Sequence, residues 1–281
     1  MIVDAHQHFW DVSRTDYEWL TPSQGALYRS YLPTDLMPIL RRNGVSATVL
    51  VQAAPSEAET RYLFDLARAH PFVAGVIGWV EFEDPLVEHR IADLIKAGGG
   101  ILKGLRPMIQ DIVDPEWVSR PELDTAFEAM CRHDLVFDAL VRPIHLPALR
   151  VRLQRHAHLR AVLDHAAKPE IKTGGLNRWA GEMEAIARES QVYCKLSGLL
   201  TEAGSAQAPK DIEPYVEQVF ACFGPDRILW GSDWPVLNAV GEYSDWLRIS
   251  REMIERFAKG ALYDVLARNA MRVYGLKVAG A

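Results

Sequence analysis

The chain opens with the stretch Ile2-Val3-Asp4-Ala5-His6-Gln7-His8-Phe9-Trp10. Its first residues are mostly apolar and predict a short buried strand, at whose end the motif His6-x-His8 lies. Alternate residues of a strand point to the same side, so the two imidazoles face one direction. Two convergent imidazoles can bind a metal ion or polarise an oxygen atom. Because this spacing also arises by chance, the rest of the chain must show whether the pair is functional or coincidental.

The alternation of buried strand and helix continues through the chain. Seven more apolar runs predict strands, at residues 47–52, 72–80, 101–106, 136–141, 160–164, 192–196 and 227–231. Helical periodicity fills the intervals, at residues 34–43, 57–70, 85–97, 121–133, 147–155, 177–189 and 211–223, and two closing helices follow near 243–257 and 260–274. Thr34 is the expected N-cap of the first helix. Eight such units predict a single (β/α)8 TIM barrel with a C-terminal helical extension, one domain over residues 1–281.

The composition excludes several classes of partner. The 281 residues carry 37 acidic and 31 basic side chains, a net charge of −6, and no basic block. A nucleic-acid partner or an anionic membrane surface would need such a block. Three widely spaced cysteines form neither a zinc motif nor a disulfide framework, and no run of 18 apolar residues occurs. We therefore expect a cytoplasmic protein with a small-molecule substrate; the oligomeric state stays open.

The active site of a (β/α)8 barrel forms at the carboxyl ends of its strands. The polar residues predicted at those ends are His6, His8, Gln52, Lys103, Arg106, Asp138, Arg142, Asp164, His165 and Asp233. An aspartate after strand 8, with histidines after strands 1 and 6, can activate water. The carboxylate accepts a proton, while the imidazoles hold a carbonyl group or a metal ion.

Several of these residues have a purely structural alternative. Asp164 can cap the end of its strand, and Asp138 can pair with Arg142. Trp10 and Trp234 directly follow site residues, so they either flank a ring-shaped ligand or belong to the core. The irregular stretch 11–32 is long enough to predict a functional loop.

Four motifs and the C-terminal helix together resemble the amidohydrolase superfamily. The quoted residues are Asp4-Ala5-His6-Gln7-His8-Phe9-Trp10, Lys103-Gly104-Leu105-Arg106, Asp164-His165-Ala166-Ala167-Lys168-Pro169, Leu229-Trp230-Gly231-Ser232-Asp233-Trp234-Pro235, and Arg268-Asn269-Ala270 with Val273-Tyr274. They occur in the right order over essentially the whole chain. The start and the Asp-His-x-x-Lys-Pro segment are most similar to the branch of sugar lactonases, such as L-fuconolactonase and L-rhamnonolactonase.

This resemblance implies hydrolysis of a sugar lactone to its aldonic acid. It places His6, His8 and His165 around the carbonyl group, with Asp233 as the base that activates water. We expect the substrate's hydroxyl groups and ring to contact residues at the other strand ends, namely Gln52, Lys103, Arg106, Arg142, Trp10 and Trp234.

The set of candidate metal ligands departs from the family pattern. Metal-dependent members generally carry a histidine on strand 5, and residues 136–141 contain none. His6, His8 and Asp233 remain as ligands, with His165 as a further candidate. Lys103 lies where some relatives carry a carboxylated lysine, but so few histidines argue against two metals. We therefore expect no strictly required cofactor and at most one Zn²⁺, because an activated lactone is a good electrophile.

Three other functions stay open at this point. The resemblance also extends to metal-dependent aromatic-acid decarboxylases and to pyrone-dicarboxylate lactonases. A dicarboxylate substrate calls for several converging arginines, and only Arg106 and Arg142 are well placed in the sequence. A barrel that only binds a sugar is the non-catalytic alternative.

Overall fold

Eight parallel strands form one sheet in the order of the chain, β1 to β8. Their bounds are β1 Val3–Gln7, β2 Ala47–Val51, β3 Val73–Gly78, β4 Leu102–Leu105, β5 Val136–Ala139, β6 Ala161–Leu163, β7 Tyr193–Leu196 and β8 Ile228–Trp230. The computed structural model describes residues 1–204 and 209–278. The predicted TIM barrel is therefore confirmed.

Within the described residues, ten α-helices connect and extend the strands. They are α1 Pro33–Asn43, α2 Glu57–Ala69, α3 Val87–Gly98, α4 Asp124–Arg132, α5 Leu146–Arg155, α6 Leu176–Glu189, α7 Leu199–Ala203, α8 Pro209–Phe223, α9 Tyr243–Phe257 and α10 Asn269–Tyr274. The prediction of Thr34 as N-cap was wrong. The N-cap is Leu32, two residues earlier, because Pro33 suits the first helical position and Asp35 accepts the N–H of Leu32 at 2.8 Å.

The sheet closes between its first and last strands. The N–H of Asp233 donates to the carbonyl of His6, and the N–H of His8 donates to the carbonyl of Trp234, each at 2.8 Å. Both bonds lie at the carboxyl ends of β1 and β8. The closure of the barrel thus sets the backbone positions of four predicted site residues.

The C-terminal helix α10 packs against the beginnings of the strands. Its Val273 and Tyr274 share a buried apolar cluster with Val3, Ala47 and Val136, each the first residue of its strand. A five-residue π-helical segment, Asp264–Arg268, precedes α10 and interrupts the predicted continuous helix 260–274. The extension therefore covers the end of the barrel opposite to the carboxyl ends of the strands.

Among residues 1–204 and 209–278, no helix is both long enough and apolar enough to cross a bilayer.

Candidate active site

The carboxyl ends of the strands surround a cavity of about 740 Å³. His8, His165 and Asp233 line it, and the fully buried side chain of His6 lies directly beside them. Other lining residues are Trp10, Asp16, Trp19, Arg106, Gln110 and Lys168. The predicted concentration of polar side chains at this end of the barrel therefore opens onto a space large enough for a small ligand.

Three imidazoles surround one carboxylate oxygen. Oδ1 of Asp233 lies 3.4 Å from Nε2 of His8, 3.7 Å from Nε2 of His6 and 3.9 Å from Nε2 of His165. The Nε2 atoms of His6 and His8 are 3.1 Å apart. The structure therefore brings together the four residues that the sequence predicts as catalytic.

A left-handed turn presents His165 to the cavity. The four residues 165–168 all have positive φ, between 49° and 60°. This conformation costs a residue other than glycine about 1–2 kcal/mol, so the surrounding structure must hold it. Trp179 donates its Nε1–H to the carbonyl of Ala166 at 2.8 Å, and Ser197 Oγ lies 2.9 Å from Nδ1 of His165. Strain of this kind is concentrated at functional sites.

Burial and mutual contacts separate the protonation states of the site. Burial alone would raise the pKa of Asp233, but His165, His8 and His6 more than offset it and hold that pKa well below its usual range. Burial lowers the pKa of His165 to about 4, although Asp233 and Asp164 oppose the shift. Burial and the charge of Lys195 likewise hold the pKa of His6 well below its ordinary value. At neutral pH the site therefore combines an ionised carboxylate with neutral imidazoles at His6 and His165.

Lys195, on β7, is the functional candidate that the sequence analysis missed. Its fully buried ammonium lies 2.5 Å from Asp138 Oδ2, 2.8 Å from Asp164 Oδ1 and 3.1 Å from His6 Nδ1. Tyr274 completes the group by donating to Asp138 Oδ1 at 2.9 Å. The signal in the sequence was a lysine inside an otherwise apolar strand, because a buried charge requires partners.

The two buried aspartates, Asp138 and Asp164, do not have the structural roles that the sequence suggested as alternatives. Asp138 pairs with Lys195 and not with Arg142; burial raises its pKa to about 6 although Lys195 opposes the shift. Asp164 contacts Lys195 and also Arg106, whose Nη1 lies 3.3 Å from its Oδ2. Burial raises the pKa of Asp164, but Lys195 and His6 hold it well below its usual range. Both aspartates belong to the buried layer beneath the cavity.

Arg106 reaches the cavity, and Gln52 supports it. The guanidinium donates through Nη2 to the carbonyl and, at 3.2 Å, to the side-chain oxygen of Gln52. Nε2 of Gln52 in turn donates to the carbonyl of Arg106 at 2.9 Å. Gln52 is fully buried, and both the oxygen and the nitrogen of its amide are engaged by Arg106, so its side chain orients Arg106.

Lys103 and Arg142 lie outside the site, contrary to the sequence-based expectation. Lys103 is in the first half of β4, and its side chain packs over Gly75 near Lys277, so it belongs to the opposite end of the barrel. Arg142 follows β5 but is exposed, and it does not line the cavity. The sequence alone places both residues near the end of a strand, but it does not give the direction of their side chains.

The two tryptophans that follow site residues differ in position. Trp10 lines the cavity, donates its Nε1–H to the carbonyl of Arg29 at 2.7 Å and packs edge-on against Trp19. Trp234 is buried against Phe9 and Tyr31 and does not line the cavity. Of the two, Trp10 is therefore the one placed to flank a ligand.

The long loop 11–32 supplies part of the cavity wall, as its length predicts. Asp16 and Trp19 line the cavity, and both bind the segment after β2. Asp16 Oδ1 accepts a hydrogen bond from Ser56 Oγ at 2.7 Å, and Trp19 donates to the carbonyl of Ala53 at 2.8 Å. The individual residues were not predicted, because an irregular loop has no periodicity from which to infer direction.

Glu59 holds the segment that follows β2. Its buried carboxyl group accepts the N–H groups of Ala53 and Ala54, at 2.9 Å each. Burial raises the pKa of Glu59 to about 8, although these two hydrogen bonds oppose the shift. Ala53 lines the cavity, so the protonation of Glu59 is linked to the stability of the cavity wall.

We expect the wild-type protein to lose stability at high pH through Glu59, and Glu59→Gln to abolish this loss. The folded protein keeps the proton of Glu59 up to about pH 8, whereas the unfolded chain loses it near pH 4.5. The free energy of unfolding should therefore fall by about 2–3 kcal/mol between pH 6 and pH 9 through this group. Urea unfolding at both pH values measures the difference, which Glu59→Gln should abolish and Glu57→Gln, on the same helix, should retain. Equal pH dependence in all three proteins would contradict the assignment.

The donor set fits a single metal ion. His6, His165 and Asp233 offer ligand atoms that all lie within 4.8 Å of one another, and the expected set His6, His8 and Asp233 has separations of 3.1, 3.4 and 3.7 Å. Bonds of about 2.0–2.1 Å to a tetrahedral zinc ion separate two ligand atoms by about 3.3–3.4 Å. Moreover, Nδ1–H of His8 donates to the carbonyl of Val51 at 2.8 Å, so its Nε2 faces Asp233 as a lone pair. Two acceptors in contact favour a cation between them.

Comparison with known proteins agrees with this architecture. A family model described as amidohydrolase matches residues 3–276. The chain is 44% identical to an L-fucono-1,5-lactonase of Burkholderia ambifaria, over 97% of this chain and 94% of that protein. It is 33% identical to an L-fucono-1,5-lactonase of Burkholderia multivorans, over 92% and 89% respectively. A crystal structure of a zinc-bound amidohydrolase from Burkholderia multivorans superposes with a TM-score of 0.91, at 32% identity, over 99% of this chain and all of that one.

Proposed function

The chain belongs to the amidohydrolase family, and we propose that it is a lactonase that opens L-fucono-1,5-lactone or a related aldonolactone to the aldonic acid. One observation carries the proposal. An ionised aspartate lies among three imidazoles at the base of a cavity, in a chain that is 44% and 33% identical to two L-fucono-1,5-lactonases. That arrangement can supply both a base for water and donors for a carbonyl oxygen.

The cavity wall suits a polyhydroxylated ring of low charge. Asp16, Glu18, Gln110 and Asp111 offer side-chain oxygens that can accept hydrogen bonds from sugar hydroxyls. Trp10 adds an apolar surface for the carbon side of a ring. Sugar recognition therefore draws on residues from loop 11–32 and from the segment after β4, together with Arg106.

The proposed reaction begins with the transfer of a proton from water to Asp233. The water oxygen forms a bond to the lactone carbonyl carbon, and the imidazoles of His6 and His165 stabilise the negative charge on the carbonyl oxygen, while Nε2 of His8 is an acceptor that orients Nε2 of His6. As the tetrahedral intermediate collapses, the bond to the ring oxygen breaks and Asp233 returns its proton to that oxygen. The product is an open aldonic acid, which ionises and releases a proton at neutral pH.

A bound zinc ion would be held by His6, His8 or His165, and Asp233. When bound, it supplies a Lewis acid that polarises the carbonyl group and lowers the pKa of water. The chain positions these side chains through its own contacts: Asp164 and Lys195 contact His6, Val51 orients His8, and Ser197 contacts His165.

The dicarboxylate-lactonase alternative is disfavoured by the cavity itself. Two carboxylates are best bound by several arginines, and among the described residues that line the cavity Arg106 is the one arginine. Because Arg142 is exposed and does not line the cavity, it does not form the second anchor that the sequence analysis considered.

Proton release from a panel of lactones tests the proposal. The panel contains L-fucono-, L-rhamnono-, L-galactono- and D-arabinono-lactones, a pyrone dicarboxylate and an aromatic acid. Chelator-treated enzyme is compared with the same enzyme resupplied with zinc. We expect rapid turnover of at least one aldonolactone, and the comparison shows whether zinc is needed. Turnover of the pyrone or loss of CO₂ from the aromatic acid, with no lactone opened, would overturn the proposal.

A further inference from the structure

The buried ammonium of Lys195 determines which nitrogen of His6 carries the proton. An ammonium group can only donate hydrogen bonds, and Nζ of Lys195 lies 3.1 Å from Nδ1 of His6. Nδ1 must therefore be the acceptor. In the neutral imidazole the proton is then on Nε2, the nitrogen that faces the cavity side of the site.

The surroundings of Nε2 agree with this tautomer. Nε2 of His6 lies 3.1 Å from Nε2 of His8, and His8 accepts there because its Nδ1–H already donates to the carbonyl of Val51. The contacts form one continuous series in which every proton has a single acceptor. It runs from Lys195 through His6 and His8 to Val51.

Two longer contacts favour the opposite tautomer. Oδ1 of Asp164 lies 3.5 Å from Nδ1 of His6, but it is already 2.8 Å from the ammonium of Lys195. Nη1 of Arg106 lies 3.5 Å from Nε2 of His6, but it donates to Asp164 Oδ2 at 3.3 Å. Both contacts to His6 are at the outer limit of a hydrogen bond, so the 3.1 Å contact of Lys195 prevails.

We propose that Lys195 is a positioning residue that holds His6 as the Nε2–H tautomer, so that the hydrogen that His6 donates to His8 can turn to the carbonyl oxygen of a bound substrate. A metal ion needs the lone pair of Nε2, which requires the proton to move to Nδ1. There it would oppose the ammonium of Lys195 and compete with it for Oδ1 of Asp164. Lys195 therefore weakens metal binding while it supports metal-free chemistry. The catalytic part of this inference rests on the proposed lactonase function; the tautomer does not.

The tautomer is measured directly in the wild-type protein. Metal-free protein with ¹⁵N-labelled histidines is studied by long-range ¹H–¹⁵N correlation, and the His6 signals are identified by their loss in His6→Gln. We expect a protonated Nε2 and an unprotonated Nδ1 at His6. A protonated Nδ1 would overturn the proposal, and this measurement depends on no change to the buried network.

A charge-balanced variant tests the role of Lys195. The double variant Lys195→Met with Asp138→Asn removes one positive and one negative charge, so the net charge near the metal ligands stays constant. We expect His6 to shift to the Nδ1–H form and zinc affinity, measured by competition with a chromogenic chelator, to rise about tenfold, the size typical of changes to groups behind metal ligands. Metal-free kcat should fall. Lys96→Met, an exposed change on α3, serves as the control.

The outcomes separate this inference from the proposed function. An unchanged tautomer and an unchanged zinc affinity in the double variant would contradict the role of Lys195. Wild-type protein that opens no lactone would instead contradict the lactonase proposal, while the tautomer and zinc measurements would still test Lys195.

Discussion

Replacing Asp233 by asparagine should lower kcat by about 10³–10⁴-fold while the protein stays folded. The carboxylate is the group placed to take the proton from water, and a positioned base typically contributes about 10²–10⁴-fold. The loss of a possible metal ligand adds to this effect. Asparagine has the same shape and tolerates the left-handed backbone of residue 233, where φ is 59°.

Steady-state kinetics and thermal unfolding together check this result. Asp134 provides a matched control, because it is also an aspartate with positive φ, 56°, but it is exposed and pairs with Arg160 away from the site. Asp134→Asn should keep wild-type kcat. If Asp233→Asn turned over the lactone at a rate within tenfold of the wild type, Asp233 would not be the base.

Replacing Gly198 by alanine should lower kcat about 100-fold through the displacement of His165. A Cβ atom at residue 198 would lie 2.6 Å from Nδ1 and 2.9 Å from Cβ of His165. The contact with Cβ means that the whole histidine must move, since the ring alone cannot relieve it. A misplacement of about 1 Å at a reacting group can cost about 10²-fold in rate.

Gly174→Ala separates this displacement from backbone strain. Gly174 also has positive φ, 77° against 67° at Gly198, but a Cβ there has nothing within 4 Å. Both variants should lose about 1–2 kcal/mol in the free energy of unfolding from strain, measured in urea, and only Gly198→Ala should lose activity. Equal kcat values in the two variants would show that the position of His165 does not limit turnover.

The sequence predicted the barrel because its evidence is local. Strand and helix periodicities of 2 and 3.6 residues can be read within a short window, and eight repeats of the pair leave few topologies. The same reasoning located His6, His8, His165 and Asp233, since each lies at or just after the end of a strand. The family resemblance reached the same residues.

The sequence-based assignment of site residues was wrong where it depended on the direction of a side chain. Lys103 and Arg106 belong to one motif three residues apart, yet only Arg106 reaches the cavity. The strand begins at Leu102, so Lys103 lies near its start and Arg106 just beyond its end. A shift of one or two residues in a strand boundary reverses such an assignment.

The sequence by itself determined the alternation of strands and helices, the end of the barrel that carries the site, and four of its residues. The tertiary structure alone decided the partners beneath them. Asp138 lies on β5, Asp164 directly after β6 and Lys195 on β7, and the pairing of these neighbouring strands brings both carboxylates within 3 Å of the ammonium. A buried charge is stable only beside such partners. The role of a buried charge therefore depends on distances in space, which cannot be inferred from the spacing of residues along the chain.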